Sequence, residues 1–174
     1  MRSILLRSEL SYTPQKMIFL IFLFFLSTSA NLVYDVCKQT RNSSLCTKTL
    51  EASANSSSAD AKGLGRIMIQ SARTRAAHNL VYVRQLMNQN STNQCIQVCY
   101  EDFRLIVTAF IPNALQSLSS DSIFDAAVSI LLSADQVSNC QEAATCVKSS
   151  SQLNNRCKEY ADFAQLVADV LRVV

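Results

Sequence analysis

Seven cysteines are the residues of this chain with the richest chemistry, because thiols form disulfides, bind metals or act as nucleophiles. Cys95 and Cys99 are four positions apart and Cys140 and Cys146 six, which is unlike the short cysteine pairs of zinc sites. The chain also has only one histidine, so we expect no metal site. An odd number leaves at least one cysteine free or paired outside the chain. The full set is Cys37, Cys46, Cys95, Cys99, Cys140, Cys146 and Cys157.

Few other residues suit catalysis. His78 is the only candidate for an imidazole base, and no nucleophile loop flanks it, so we expect an ordinary helix histidine. Gly63 and Gly65 lack the preceding strand and the third glycine of a phosphate loop. Glu101 and Asp102 are adjacent and would diverge by about 100° on a helix rather than converge. The sequence offers little from which to build an active site.

The first 30 residues have the pattern of an export signal. An apolar run at 17–26 follows three basic residues and precedes small residues ending at Ala30. The run is far shorter than the roughly 20 residues that cross a bilayer. We therefore predict a signal peptide over residues 1–30, cleaved before Asn31, rather than a membrane anchor.

Composition excludes some classes of binding partner for the exported part of the chain. The whole chain has a formal net charge of +3, and most of that excess lies in the first 30 residues. A nearly neutral mature chain argues against a nucleic-acid partner and against a polybasic membrane surface. In an exported protein the cysteines predict a disulfide framework. Asn42, Asn55 and Asn90 begin glycosylation sequons.

Apolar residues at helical spacing, with few glycines and prolines, predict an all-α chain. We expect two small helices or turns at about 37–50, a serine-rich link at 52–59, and long helices at about 59–87, 94–118, 122–140 and 157–171. Pro112 should kink the second long helix. A connector at 147–155 should precede the last one. Four such helices favour an up-down-up-down four-helix bundle.

The cysteine frame resembles the plant invertase and pectin methylesterase inhibitor family over about residues 32–172. The resemblance rests on Cys37-Lys-Gln-Thr-Arg-Asn-Ser-Ser-Leu-Cys46, on Asp60-Ala-Lys-Gly-Leu-Gly65, on Cys99-Tyr-Glu-Asp-Phe103 and on the position of Cys140. It implies an inhibitor domain at 31–174, with a helical hairpin and link at 31–58 and a bundle at 59–174. It also implies the disulfides Cys37–Cys46 and Cys99–Cys140.

The same resemblance implies function by binding. Family members dock on a secreted carbohydrate-active enzyme and block its substrate cleft, without catalytic residues or a cofactor. The stretch around Pro112 resembles the invertase-inhibitor branch, in which a Pro-Lys-Phe motif at the next turn enters the cleft. The matching residues are Asp121, Ser122, Ile123 and Phe124, so the motif cation is missing. Phe124 has two possible roles, an enzyme contact or a core residue of the third long helix.

An acid invertase is the favoured target, and pectin methylesterase is the alternative. A third possibility is a secreted protein of this fold without inhibitory activity. We expect the free protein to be a monomer in the apoplast or cell wall, with the vacuole also possible.

An up-down bundle would bring the remaining cysteines to one end. Cys95 lies one turn outside Cys99, and Cys146 lies just beyond Cys140, which favours a Cys95–Cys146 pair with Cys157 left over. Cys146–Cys157 is the competing pair. A Cys95–Cys99 bridge within one helix would be strained.

Overall fold

Seven α-helices follow one another in the computed structural model, which describes residues 32–147 and 150–174. A five-residue π-helical segment, Ile106–Phe110, joins the fourth helix to the fifth. The predicted signal peptide at 1–30 lies outside the described residues. The helices are α1 (residues 32–37), α2 (Ser43–Glu51), α3 (Ala61–Gln89), α4 (Gln94–Leu105), α5 (Ile111–Ser119), α6 (Ile123–Ala143) and α7 (Ser150–Val173).

Side-chain caps explain where three of these helices begin. Asn42 Oδ1 accepts a hydrogen bond from the backbone N–H of Leu45 at the start of α2. Asp60 Oδ1 accepts from the N–H of Gly63 at the start of α3, and Asn93 caps α4 in the same way. Each side chain satisfies backbone donors that have no partner within the first helical turn. These three polar residues therefore mark the starts of helices.

The long helices form a four-membered bundle. The continuous α4–α5 unit packs between α3 and α6, and α7 contacts both α3 and α6, which closes the ring of helices. The hairpin of α1 and α2 lies outside the bundle, where Arg41 reaches Asp169 on α7 (Nε to Oδ2, 2.6 Å). The predicted all-α bundle is confirmed.

Aromatic side chains occupy the middle of the core. The rings of Phe103 and Tyr160 meet edge to face, with centroids 6.0 Å apart. The hydroxyl of Tyr160 lies 2.9 Å from Ser133 Oγ, so this buried polar group has a hydrogen-bond partner. Apolar and aromatic residues at helical spacing along the last helix are all buried: Tyr160, Phe163, Val167, Val170 and Leu171.

The structure differs most from the sequence prediction near Pro112 and at the start of α7. Residues 94–119 remain helical, but the expected irregularity at Pro112 takes the form of the π segment directly before it. Proline has no N–H and crowds the preceding turn, so a local change in hydrogen-bond register accommodates it within the first turn of α5. The predicted connector at 147–155 is wrong, because α7 already begins at Ser150. Leu153 is fully buried, so this polar stretch has one inward anchor.

Candidate functional site

The turn between α5 and α6 has a defined backbone geometry. The N–H of Ser122 bonds to the carbonyl of Ser117 at 2.9 Å, and the N–H of Asp121 bonds to that of Leu118 at 3.3 Å. This pair of bonds is the Schellman motif that ends many helices. The residue at its left-handed position is usually glycine, but here it is Asp121, with φ of 60°. Aspartate tolerates this conformation better than most residues.

A lysine from another helix holds this turn in place. Lys62, in the first turn of α3, donates from Nζ to Asp121 Oδ1 at 2.5 Å and approaches the carbonyl of Ser119 at 3.4 Å. Arg66, one turn further along α3, donates to Ser119 Oγ at 3.2 Å. Sequence reasoning missed both cations, because only the antiparallel packing of α3 against α5 brings them to the turn.

The turn presents an aromatic ring to solvent. Phe124 is 78% exposed, whereas Ile123 beside it is partly buried against the core. The core role considered for Phe124 is therefore wrong. Helix α6 begins at Ile123, and its inward positions in this turn are taken by Ala126 and Ala127. At the start of α6, Ser122 Oγ donates to the Asp125 carboxylate and accepts no capping hydrogen bond from the backbone N–H groups of the helix.

An apolar groove adjoins the exposed ring. It has a volume of about 420 Å³ and lies between the start of α6 and the C-terminal end of α7. An exposed ring beside an apolar groove can bind a partner surface, but it provides no nucleophile or base. The groove is lined by Ile123, Phe124, Ala127, Val128, Leu131 and residues 171–174.

The cysteines lie elsewhere. The structure brings together Cys37 with Cys46, Cys95 with Cys146 and Cys99 with Cys140, at Cα–Cα distances of 5.5, 6.5 and 4.4 Å. Cys157 is free and buried, and its Sγ lies 3.2 Å from that of Cys140. Burial raises the pKa of the Cys157 thiol to about 12, so it remains protonated at physiological pH.

The other candidate residues are distributed over the surface. His78 lies exposed on α3, as expected of an ordinary helix histidine. Asn42, Asn55 and Asn90 are all exposed. Asn90 ends α3 at the cysteine end of the bundle, opposite the α5–α6 turn. Within residues 32–147 and 150–174, no three His, Cys, Asp or Glu side chains are grouped closely enough to hold a metal ion.

Comparison with protein families gives one match that spans almost all the described residues. The model for "plant invertase/pectin methylesterase inhibitor" matches residues 31–173. The chain belongs to this family. The family consists of inhibitor proteins, so the chain is a member of an inhibitor family and not an enzyme.

Two curated relatives carry different target names. A pectinesterase inhibitor from Actinidia deliciosa is 39% identical over 59 residues, which is 34% of this chain and 32% of the relative. A cell wall / vacuolar inhibitor of fructosidase from Arabidopsis thaliana is 25% identical over 109 residues, 58% of this chain and 53% of the relative. The matched segments thus span about a third and about half of the two relatives.

Solved structures share the fold of this family member. A mutant form of a pectin methylesterase inhibitor from Arabidopsis superposes with a TM-score of 0.64 at 17% identity, covering 80% of this chain and 94% of the other. Another structure, of a pectin methylesterase inhibitor from Arabidopsis thaliana, gives a TM-score of 0.58 at 16% identity, with 80% and 93% coverage. In the described part of the chain, none of the helices has the length and hydrophobicity of a membrane span.

Proposed function

We propose that this protein inhibits a plant acid invertase (β-fructofuranosidase) by placing the α5–α6 turn in the active-site cleft of the enzyme. The observation that carries the proposal is the 78% exposure of Phe124 on a turn whose backbone is fixed. A large apolar ring gains most from leaving water when it enters a cleft. Aromatic residues of this kind are frequent hot spots of protein interfaces.

The fixed geometry of the turn favours tight binding. The Schellman hydrogen bonds and the Lys62–Asp121 pair hold the turn before it meets a partner. Less conformational entropy is then lost on association. Asp121, Ser122 and Ile123 flank the ring and would form the rest of the contact.

Lys62 would provide the positive charge that the turn itself lacks. In the invertase-inhibitor branch a lysine precedes the phenylalanine, and Ile123 stands at that position in this chain. The Lys62 side chain is 32% exposed, and an ammonium group has three donors, of which two are directed at Asp121 and Ser119. An acidic cleft could engage the third.

Pectin methylesterase is the second candidate target. The relative with the higher identity, 39%, is named a pectinesterase inhibitor. That match covers only 59 residues, so it supports the alternative without displacing the turn argument. A protein of this fold without inhibitory activity remains the third hypothesis. In either inhibitory case we propose a secreted monomer of the apoplast, cell wall or vacuole.

Inhibition assays at the acid pH of the cell wall test the target. Wild type and Ile123→Lys are measured against purified acid invertase and pectin methylesterase. Wild type should inhibit invertase, and Ile123→Lys should tighten that inhibition because it restores a cation beside Phe124. Val81→Lys adds the same charge at an exposed site on α3 and is the matched control. Slowed pectin demethylation with no effect on any acid invertase would establish pectin methylesterase as the target. If neither enzyme were inhibited, the third hypothesis would hold.

A charge swap tests the role of Lys62. Lys62→Gln should weaken invertase inhibition about tenfold, and adding Ile123→Lys to it should restore the affinity. Lys62→Arg, which retains the charge, should resemble wild type. If the double variant remained as weak as Lys62→Gln, the lysine would act by holding Asp121 rather than by meeting the enzyme.

A further inference from the structure

A small polar cleft between α3 and α7 is separate from the α5–α6 turn. It has a volume of about 150 Å³, and two arginines, one from each helix, dominate its lining. Neither arginine takes part in the proposed inhibition. The lining residues are Arg75, His78, Asn79, Arg156, Glu159 and Tyr160.

Aromatic rings hold both guanidinium groups. The Cζ atom of Arg75 lies 4.0 Å from the ring centroid of Phe163, and that of Arg156 lies 4.3 Å from the ring centroid of Tyr82. Such stacking engages the flat face of a guanidinium and leaves its N–H edges available. The two cations are thus orientated by contacts that do not involve their N–H donors.

Neither cation forms an ion pair with the part of the chain that the structure describes. Six ion pairs within 4.0 Å occur among the described residues, and none includes Arg75 or Arg156. Glu159 lines the cleft but is solvent-exposed and forms no such pair. The cleft therefore has a formal charge of +1 with His78 neutral. Two like charges facing one space repel each other unless a counter-ion lies between them.

One buried donor of Arg156, an arginine that lines this cleft, is unsatisfied. Arg156 Nε is inaccessible to solvent and has no hydrogen-bond partner among residues 32–147 and 150–174. Its neighbours are well placed, because Arg156 NH1 donates to Asn79 Oδ1 at 3.2 Å and Asn79 Nδ2 donates back to the Arg156 carbonyl at 3.4 Å. Asn79 is only 7% exposed. A buried N–H without a partner is rare in native proteins, and it calls for an acceptor.

We propose that this cleft binds a compact oxyanion such as phosphate. Its volume of about 150 Å³ is well below that of a pocket for a drug-sized ligand, so only a compact ligand fits. Guanidinium edges match the oxygen spacing of phosphate and carboxylate groups. Arg75 and Arg156 supply the charge, and His78 and Asn79 supply further polar contacts at the rim and the floor.

The direct test follows the arginine Nε–H resonances by NMR in the full mature protein. Inorganic phosphate is titrated at pH 7 while sodium chloride keeps the ionic strength constant. The Arg75 and Arg156 signals should shift and saturate together. A shift that grows linearly, or that chloride reproduces, would overturn the proposal. Acetate is titrated in parallel, and tighter binding of acetate would reject phosphate in favour of a carboxylate ligand.

Variants separate the cleft from general surface charge. Arg75→Gln should weaken phosphate binding at least tenfold, and it is safe for folding because Arg75 is exposed. Arg73→Gln removes an exposed arginine from the same helix outside the cleft and should bind like wild type. Glu159→Gln should tighten binding severalfold by removing the nearby negative charge. Unchanged affinity in Arg75→Gln, or equal loss in Arg73→Gln, would refute the site.

Discussion

The two ends of the bundle are built differently. At one end, Cys95, Cys99, Cys140 and Cys146 form two crosslinks between neighbouring elements, with Cys157 buried against them. At the other end, the α5–α6 turn is held by backbone hydrogen bonds and by contacts from Lys62 and Arg66, and no residue of the turn itself is a cysteine. The two crosslinks within the bundle thus lie at the end opposite the exposed Phe124 ring. The two ends should therefore respond separately to mutation, the first in stability and the second in binding.

Removing the Cys99–Cys140 crosslink should give the largest loss of stability. The bond between Cys99 and Cys140 closes a loop of 41 residues, which the chain-entropy model rates at about 4 kcal/mol. The Cys37–Cys46 loop spans only nine and is rated at about 2–3 kcal/mol. Cys99→Ser/Cys140→Ser should therefore lower the free energy of unfolding more than Cys37→Ser/Cys46→Ser, measured by denaturant titration.

Double variants are needed for that measurement, because Cys157 lies close enough to Cys140 to replace Cys99 as its partner. Variants that still fold should retain most of their inhibitory activity, since the turn lies at the other end. If removing either crosslink cost the same stability, docking of the hairpin would contribute more to stability than the length of the closed loop. Non-reducing peptide mapping checks the three pairs, and an alkylated Cys95 thiol would reject Cys95–Cys146.

Two phenylalanines provide a matched contrast in stability. Phe103 is fully buried against Tyr160, and Phe124 is largely exposed. Truncation of a buried phenylalanine leaves a cavity, so Phe103→Ala should cost about 3–5 kcal/mol of folding free energy. Phe124→Ala should change it by about 0.5 kcal/mol or less. Thermal unfolding of the two variants measures both, and a large loss in Phe124→Ala would show that its ring packs into the core.

Replacing either of two carboxylates should change the free energy of unfolding by a smaller amount, and the two effects should depend on pH in opposite ways. Asp102, near the cysteine end, is 4% exposed, and burial raises its pKa above 3.8 despite a hydrogen bond from Gln136. Asp169, near the turn end, accepts hydrogen bonds from Arg41, which lower its pKa below 3.8. The first carboxylate resists ionisation in the folded state, and the second favours it.

The sign of each effect follows from the linkage between protonation and folding. Below pH 3.8 Asp102 is protonated in both states, and its stabilising effect is lost as the pH rises through its folded pKa. Asp169 stabilises the fold above pH 3.8, and this effect is lost as the pH falls through its folded pKa. At pH 7, Asp102→Asn should therefore raise the free energy of unfolding, and Asp169→Asn should lower it, each by about 1 kcal/mol. Denaturant titrations at pH 3 and pH 7 check both, and a shared sign would contradict this account.

The sequence predicted what depends on local pattern. Helical spacing of apolar residues predicted the bundle, and the starts predicted at 59, 94 and 122 lie within two residues of the observed helix starts. It misplaced the start of α7, because a run of serines and asparagines is typical of a loop until Leu153 finds a buried position. The π segment was also missed, since a proline predicts a disturbance without specifying its hydrogen bonds.

Long-range partners could not be predicted in the same way. The contact of Lys62 with Asp121 joins residues 59 positions apart and exists only because α3 and α5 are antiparallel neighbours. The exposure of Phe124 was undecided because its position in the first turn of α6 depends on where that helix begins. Arg75 and Arg156 meet for a similar reason, across α3 and α7.

The affinity of Phe124→Ala for acid invertase tests the central claim most directly. Wild type, Phe124→Ala and Leu132→Ala are compared by inhibition at acid pH, together with their melting temperatures. Leu132 is an exposed apolar residue two turns along α6 and provides the control. We predict that Phe124→Ala loses about 2 kcal/mol or more of binding, while its melting temperature and the affinity of Leu132→Ala stay near wild type. Unchanged inhibition by Phe124→Ala would contradict the account.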